Sequence, residues 1–290
     1  MVDVIPDYAK KGRGAVSNQS GCFEALSAVR IDDGWSNVEG FVDEKLRTTV
    51  TDEHPKTIIA KNTSPDIPFD RSINPYRGCE HGCVYCFARP THAYHGLSPG
   101  LDFETKLFAK PGAAQLLERE LMRPGYTPKK IQLGANTDPY QPIERSRKIT
   151  RSVLEVFARF DHPLGITTKS DLVCRDIDIL RPMDAKGLIG VALSVTTLDD
   201  TLARTMEPRC PTPQKRLAAI KALSDAGIPV TLMVAPVIPG LNDHEIEDIL
   251  GAAKKAEATA VEYILLRLPL EIYELLKNGL RRISRTVHAV

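Results

Sequence analysis

The chain has 290 residues, 42% of them hydrophobic and 26% charged, with a formal net charge of +1. That is enough apolar material for one large core, and near-neutrality excludes a global field drawing the chain to nucleic acid or a membrane surface. No stretch approaches the ~20 apolar residues of a membrane span, and the opening Met-Val-Asp-Val-Ile-Pro-Asp lacks a signal-peptide layout, so the expectation is a soluble, cytoplasmic protein.

Residues 1–55 read as a polar extension. Lys10-Lys11-Gly12-Arg13-Gly14 is followed by Ser17-Asn18-Gln19-Ser20-Gly21 with no sustained periodicity, which predicts a segment disordered at its start and laid over the body later. Its basic patch is expected to be a solvated tail, with a nucleic-acid contact as the other reading. Asp32-Asp33-Gly34-Trp35 carries the only tryptophan and is the expected anchor of this arm.

A core is expected over residues 56–269, and near its start stands Ile73-Asn74-Pro75-Tyr76-Arg77-Gly78-Cys79-Glu80-His81-Gly82-Cys83-Val84-Tyr85-Cys86. Three thiols within eight residues can converge on one soft centre at little loop-closure cost, and such spacing indicates metal ligation in a reducing compartment rather than a disulfide framework. A structural zinc site wants four closed ligands, and the other candidates are His81, His92 and His95. A [4Fe-4S] cluster on three thiolates leaves one iron open to an exogenous ligand. Cys22, Cys174 and Cys210 read as ordinary packed thiols.

Phe87 to Lys110 is a long loop beside these thiols, in which His92 and His95 are either substrate contacts or surface residues. Regular alternation follows. Pro111 to Met122 reads as helix, Lys130 to Ala135 as strand, Arg145 to Phe160 as helix and Leu164 to Thr168 as strand. Ser170 caps a helix running through Leu180, and Leu188 to Val195 is strand. Gln214 to Ala226 is a helix stopped by Gly227, and Val230 to Val234 is strand. Asn242-Asp243-His244-Glu245 reads as a variant capping box, and Val261 to Arg267 closes the series. With a strand leading into Arg77-Gly78, this makes six βα units and a parallel sheet with right-handed crossovers, short of the eight in a closed barrel. Residues 270–290 read as a helical tail with Leu275, Leu276 and Leu280, ending in Arg281, Arg282 and Arg285 at a solvated helix end.

The motif C-x-x-x-C-x-aromatic-C, with Tyr85 in the aromatic place, resembles the signature of the radical S-adenosylmethionine (radical SAM) superfamily, and Asn74-Pro75-Tyr76 with Gly78-Cys79 resembles its spore photoproduct lyase branch. The resemblance implies an α/β fold, a partial (β/α)6 TIM-like barrel, with Cys79, Cys83 and Cys86 holding a [4Fe-4S] cluster. It further implies S-adenosylmethionine on the open iron, and its reductive cleavage to a 5′-deoxyadenosyl radical that abstracts hydrogen from a substrate. A reducing partner such as a flavodoxin or ferredoxin is then needed, and nucleic acid is the substrate that family analogy suggests.

Parallel barrels gather their chemistry at strand C-termini. By the resemblance, Thr137 and Asp138 contact the methionyl part of the cofactor, Lys169 pairs its carboxylate with Arg209 as a second candidate, Ser194 faces the ribose, and Ile238 lies against adenine. An ammonium beside a bound carboxylate is a charge-assisted pair, a physical reason to favour Lys169. Spore photoproduct lyase returns a hydrogen atom from a cysteine on its second strand. The corresponding stretch here, Gly134-Ala135-Asn136-Thr137, has no thiol, and Tyr140 is the candidate donor. The alternative reading is a metal-stabilised nucleic-acid-binding module without catalysis.

Overall fold

The structure, a computed structural model, describes residues 10–18, 20–21, 46–65, 67–269 and 272–278. Trp35, Cys22 and the three tail arginines lie outside the described residues. The strands are β1 (Thr49–Asp52), β2 (Ala60–Lys61), β3 (Arg71–Ile73), β4 (Tyr76–Arg77), β5 (Lys106–Ala109), β6 (Ile131–Leu133), β7 (Leu164–Thr168), β8 (Ile189–Ser194), β9 (Val230–Val237) and β10 (Ala260–Leu265). The helices are α1 (Leu101–Thr105), α2 (Ala113–Leu121), α3 (Glu144–Arg147), α4 (Ile149–Arg159), α5 (Ile177–Asp184), α6 (Asp200–Met206), α7 (Pro213–Asp225) and α8 (Ile246–Lys255).

The main sheet has the order β10-β9-β8-β7-β6-β3-β2, and every pairing is parallel except β2 with β3. Six parallel strands joined by helices form the open barrel that the alternation predicts. Its first strand lies earlier than expected, because Pro75 has no N–H to continue a ladder. β3 stops at Ile73, and Tyr76–Arg77 instead joins a small separate sheet of order β1-β5-β4.

Ile131, Leu133, Ile166, Leu193, Val230 and Leu232 are essentially inaccessible, as are Leu117, Val153, Leu154, Phe157, Leu180, Ile220 and Ile249 on the surrounding helices. Each such side chain contributes about 1.5–3 kcal/mol of burial free energy. At its far edge β10 stays exposed along its length, including Val261, Tyr263 and Leu265.

Three local readings are corrected. The helix read over 145–160 is broken at Lys148 (φ 52°), because the buried Glu144 carboxylate accepts the N–H groups of Thr150 (2.9 Å) and Arg151 (3.3 Å) and so caps α4 from inside the loop. The long loop after the thiols contains a 3-10 turn (Arg89–His95), α1 and β5, and His92 is fully buried against Phe103 rather than on the surface.

The capping box at 242–245 does not form. Asn242 is fully buried; its Oδ1 accepts the Ile238 N–H (2.7 Å) and its Nδ2 donates to the Thr196 (2.7 Å) and Pro236 (3.0 Å) carbonyls. Glu245 turns to Thr197 Oγ1 and the Leu198 N–H. Asn242 thus ties the end of β9 to the loop after β8. Asn242→Ala leaves these groups unpaired and is expected to cost roughly 2–3 kcal/mol, measured by urea denaturation; a loss under half that range refutes the bridging role.

Residues 13–15 and 272–278 meet over the thiol loop. Arg13, read as part of a solvated tail, is buried and bonds the Glu104 carbonyl (2.8 Å), because that carbonyl and Thr48 give its guanidinium acceptors that water would otherwise supply. Ala15 packs with Leu101, Ile272 and Leu275, the last two from a helical turn at 272–278.

Candidate active site

The thiol loop lies at the C-terminal side of the barrel between β4 and the Arg89–His95 turn. Gly78 (φ 71°) and Gly82 (φ 70°) are required there: a Cβ on the first would lie 2.7 Å from Leu107 and on the second 2.8 Å from Glu104 Oε2. The loop is pinned by Cys79 N–H to the Phe103 carbonyl (2.9 Å), Val84 N–H to Met206 (3.0 Å) and the Arg89 Nε to the Cys83 carbonyl (2.9 Å). Gln141, fully buried, accepts the Glu80 N–H (3.0 Å) and donates to the Gly78 carbonyl (3.0 Å).

Cys79 and Cys83 are buried and Cys86 half-buried. Burial pushes the Cys86 thiol up to about 12, and the neighbouring Cys83 and Cys79 add to the rise. A buried thiol whose ionisation is opposed in this way suits a centre whose positive charge reverses that penalty. Among the described residues no three His, Cys, Asp or Glu side chains are gathered for a single metal ion. A cubane draws each thiolate to a different iron, and its donor set is wider than a one-ion site. The donor set therefore fits a three-thiolate cluster. A fourth thiol, Cys210, lies 4.0 Å from Cys83 Sγ, a neighbour the sequence does not reveal.

Lys169, Ser194 and Ile238, predicted from three different strands, come together beside this loop. Lys169 Nζ donates to Ser194 Oγ (2.7 Å), Thr196 Oγ1 (3.3 Å) and the Ala235 carbonyl (3.2 Å), and pairs with Glu207 Oε1 at 3.2 Å. Ile238 shares an apolar cluster with Cys83, Val84, Tyr85, Met206 and Leu276.

Sequence reasoning missed Glu207. It is buried, and it accepts from the Tyr85 hydroxyl, Thr196 Oγ1 (2.8 Å) and the buried Arg216. Against the burial that would raise it, Arg216 and Lys169 hold its carboxyl well below the usual range. The available signal was an acidic residue before Pro208-Arg209 at the end of the fourth βα connection. Arg209 itself pairs with Glu80 of the thiol loop at 3.3 Å.

Thr137 and Asp138 are turned to the protein. Thr137 Oγ1 donates to the Tyr76 carbonyl (2.9 Å); Asp138 accepts from Thr168 Oγ1 (2.7 Å), the Lys169 N–H (2.7 Å) and the Tyr140 N–H (2.9 Å), and His81 Nδ1 lies 3.4 Å away. Tyr140 is buried, and burial with the nearby Asp176 carboxylate raises its hydroxyl well above the tyrosine range. A cavity of about 170 Å3 between these parts is lined by residues including His81, Tyr140, Arg145, Ser170, Arg209 and Cys210.

An open parallel barrel carrying three thiols on the loop after its first strand defines a class. The family model of the radical SAM superfamily matches residues 73–253, and the chain belongs to that superfamily. Its sequence relatives include the uncharacterized protein Rv2578c of Mycobacterium tuberculosis, 40% identical over 204 residues, 70% of this chain and 60% of that protein. The uncharacterized protein MJ0683 of Methanocaldococcus jannaschii is 30% identical over 219 residues, 71% of this chain and 79% of that protein. The chain thus spans 60% of the mycobacterial relative's length.

Among solved structures, spore photoproduct lyase complexed with dinucleoside spore photoproduct superposes with a TM-score of 0.59 at 15% identity, over 81% of this chain and 67% of that one. A mutant form of that lyase with bound AdoMet and the same dinucleoside gives 0.57 at 15% identity, over 79% and 65%. At that identity the likeness is one of fold. The family implies an iron-sulfur cluster and S-adenosylmethionine, and supports an enzyme. No described helix is long and apolar enough to cross a membrane.

Proposed function

We propose that the chain is an enzyme that holds a [4Fe-4S] cluster through Cys79, Cys83 and Cys86 and cleaves S-adenosylmethionine reductively. When bound, the cluster and S-adenosylmethionine supply a 5′-deoxyadenosyl radical able to remove a hydrogen atom from a substrate. The observation that carries the reading is the convergence of the thiol loop with Lys169, Ser194 and Ile238 at the strand ends.

The chain's own residues supply charge, shape and dryness. Lys169 and Arg216 bring two positive charges and Glu207 one negative, so the network keeps a net +1 beside the loop. Arg216 is buried, which leaves Lys169 as the cation to receive the cofactor's carboxylate. Ser194 Oγ, already bonded to Lys169, is placed for the ribose, and the Ile238 cluster offers an apolar face for adenine. Arg209 is the second cation for the carboxylate, reached through the cavity. Asp138 shapes the loop that carries Lys169, and Thr137 the segment that leads into the thiol loop. Tyr140 lines the cavity, and burial with Asp176 keeps its hydroxyl protonated, the state a hydrogen-atom donor needs. Leu276 and Ala15 limit water around the loop.

Nucleic acid is the substrate class we propose, by analogy with the fold neighbour, and a flavodoxin or ferredoxin the source of electrons. Anaerobic reconstitution followed by assay of 5′-deoxyadenosine and methionine, with dithionite and with DNA, RNA or peptide pools, tests the reading. A fully loaded cluster without cofactor cleavage overturns it; one zinc per chain without sulfide points to the non-catalytic binding module instead.

Lys169→Met keeps the Arg216–Glu207 pair, and is expected to weaken S-adenosylmethionine binding by about 1.5–3 kcal/mol, roughly tenfold to a hundredfold in Kd. Equilibrium dialysis on the reconstituted protein measures it; an unchanged Kd removes Lys169 from the site.

A further inference from the structure

We infer that residues 13–18 form a strap that holds the thiol loop in its cluster-binding shape, with Glu104 as the positioning residue that joins strap to loop. The inference rests on the cluster reading of Cys79, Cys83 and Cys86.

Glu104 is fully buried between the two segments. On the strap side its carboxylate accepts the N–H groups of Gly14 (3.0 Å) and Ala15 (2.8 Å). On the loop side it accepts Arg89 Nη2 (2.6 Å), and Arg89 in turn donates Nε to the Cys83 carbonyl (2.9 Å) and Nη1 to the carbonyls of Pro99 and Gly100 (3.0 Å each). One continuous chain of bonds therefore runs from the strap backbone to the backbone of a cluster cysteine. Both ionic members are inaccessible to solvent, so each bond is made in a low dielectric and a broken one leaves a buried polar group unpaired.

The fit is also steric. A Cβ on Gly14 would stand 1.9 Å from the Gly82 carbonyl oxygen, in the middle of the Cys79–Cys83 turn. The strap's flanks are tied independently. Arg13 Nη2 donates to Thr48 Oγ1 (2.9 Å), whose hydroxyl donates to Glu80 Oε1 (2.7 Å) in the loop, while Asn18 and Asp102 exchange two bonds of 2.9 and 2.8 Å. A stretch that merely buried itself could lie on any apolar surface; this one's donors go to Glu104, Thr48 and Asp102, and Glu104 and Thr48 connect to the thiol loop through Arg89 and Glu80.

Charge gives the arrangement a second consequence. Arg89 places a buried cation at the Cys83 carbonyl, and Glu104 neutralises it. Net charge near an iron-sulfur cluster sets its reduction potential, so removing the Glu104 charge favours the added electron.

The test compares the wild-type chain with Glu104→Gln, Gly14→Ala and Asn18→Ala, each reconstituted anaerobically. Iron and sulfide per chain, the rate of iron release to a ferrous chelator, and the midpoint potential by spectroscopically monitored titration are measured. All three variants are expected to release iron faster, by about tenfold for Glu104→Gln and Gly14→Ala and less for the more exposed Asn18→Ala. Glu104→Gln alone is expected to shift the potential upward, which a purely structural weakening does not do. Wild-type release rates and an unshifted potential in all variants overturn the inference. If Glu104→Gln fails to fold, the release rates of the other two decide. A wild-type chain that loads no iron and sulfide overturns the cluster reading, a separate outcome.

Discussion

Substituting alanine for Cys79, Cys83 or Cys86 singly is expected to remove cluster iron and sulfide and reduce S-adenosylmethionine cleavage to background, while Cys210→Ala keeps both. The three loop thiols are held to one another by bonds within eight residues, among them Cys86 N–H to the Cys83 carbonyl (3.3 Å) and Gly82 N–H to the Cys79 carbonyl (3.4 Å). Cys210 approaches from the connection after β8, which the Arg209 N–H ties to the loop through the His81 carbonyl (3.2 Å). Cys210 lies outside the eight-residue loop and faces Cys83 Sγ at 4.0 Å, so it is expected to pack beside the cluster and not to ligate it. Elemental analysis and the low-temperature spectrum of the reduced protein separate the cases. Loss of cluster in Cys210→Ala makes it a fourth ligand, closes the open iron, and defeats the catalytic reading.

The largest effect on folding is expected at Glu207. Glu207→Ala leaves Arg216, itself buried, without its counter-charge, and breaking one side of such a pair costs about 3–5 kcal/mol. Set against a domain stability of about 5–15 kcal/mol, this is enough to lose the native state at moderate temperature. The carboxyl's folded pKa lies well below the ordinary 4.5, with burial opposed by Arg216 and Lys169. On acidification the unfolded chain therefore takes up the proton first. The Glu207 contribution is complete above pH 4.5 and declines as the pH falls below it toward the folded pKa. Glu207→Gln lacks that contribution, so its stability gap from wild type should be widest near neutrality and narrow as the pH drops below about 4.5, read by urea denaturation across pH. A gap independent of pH places the charge of Glu207 outside the balance and leaves only its packing.

The thiol loop is supported from several sides. Glycines at 78 and 82 let the backbone turn tightly, Gln141 and Arg89 satisfy its interior carbonyls, and residues 13–15 and 272–278 cover it. Cluster retention, cofactor affinity and fold stability are thus read at Glu104, Lys169 and Glu207, the last two coupled by their ion pair.

Much of this was legible from local pattern. Strand periodicity located β7 to the residue, the βα alternation required a parallel sheet, and the cysteine spacing isolated the three thiols, because each of these signals lies within a few neighbouring residues. Gly227 ends α7 through backbone geometry that any short window contains. The partners of those elements were not legible. Glu207, Arg216, Glu104, Arg89 and Asn242 are polar residues whose sequence neighbourhoods look like surface, yet they are buried because their counterparts arrive from segments as far as 122 positions away, as Glu207 and Tyr85 do. Asp138 and Arg13 likewise have their roles set by what the fold brings opposite them. Periodicity and spacing are properties of the chain; desolvation and charge pairing depend on which distant groups share a low-dielectric space, and only tertiary packing decides that.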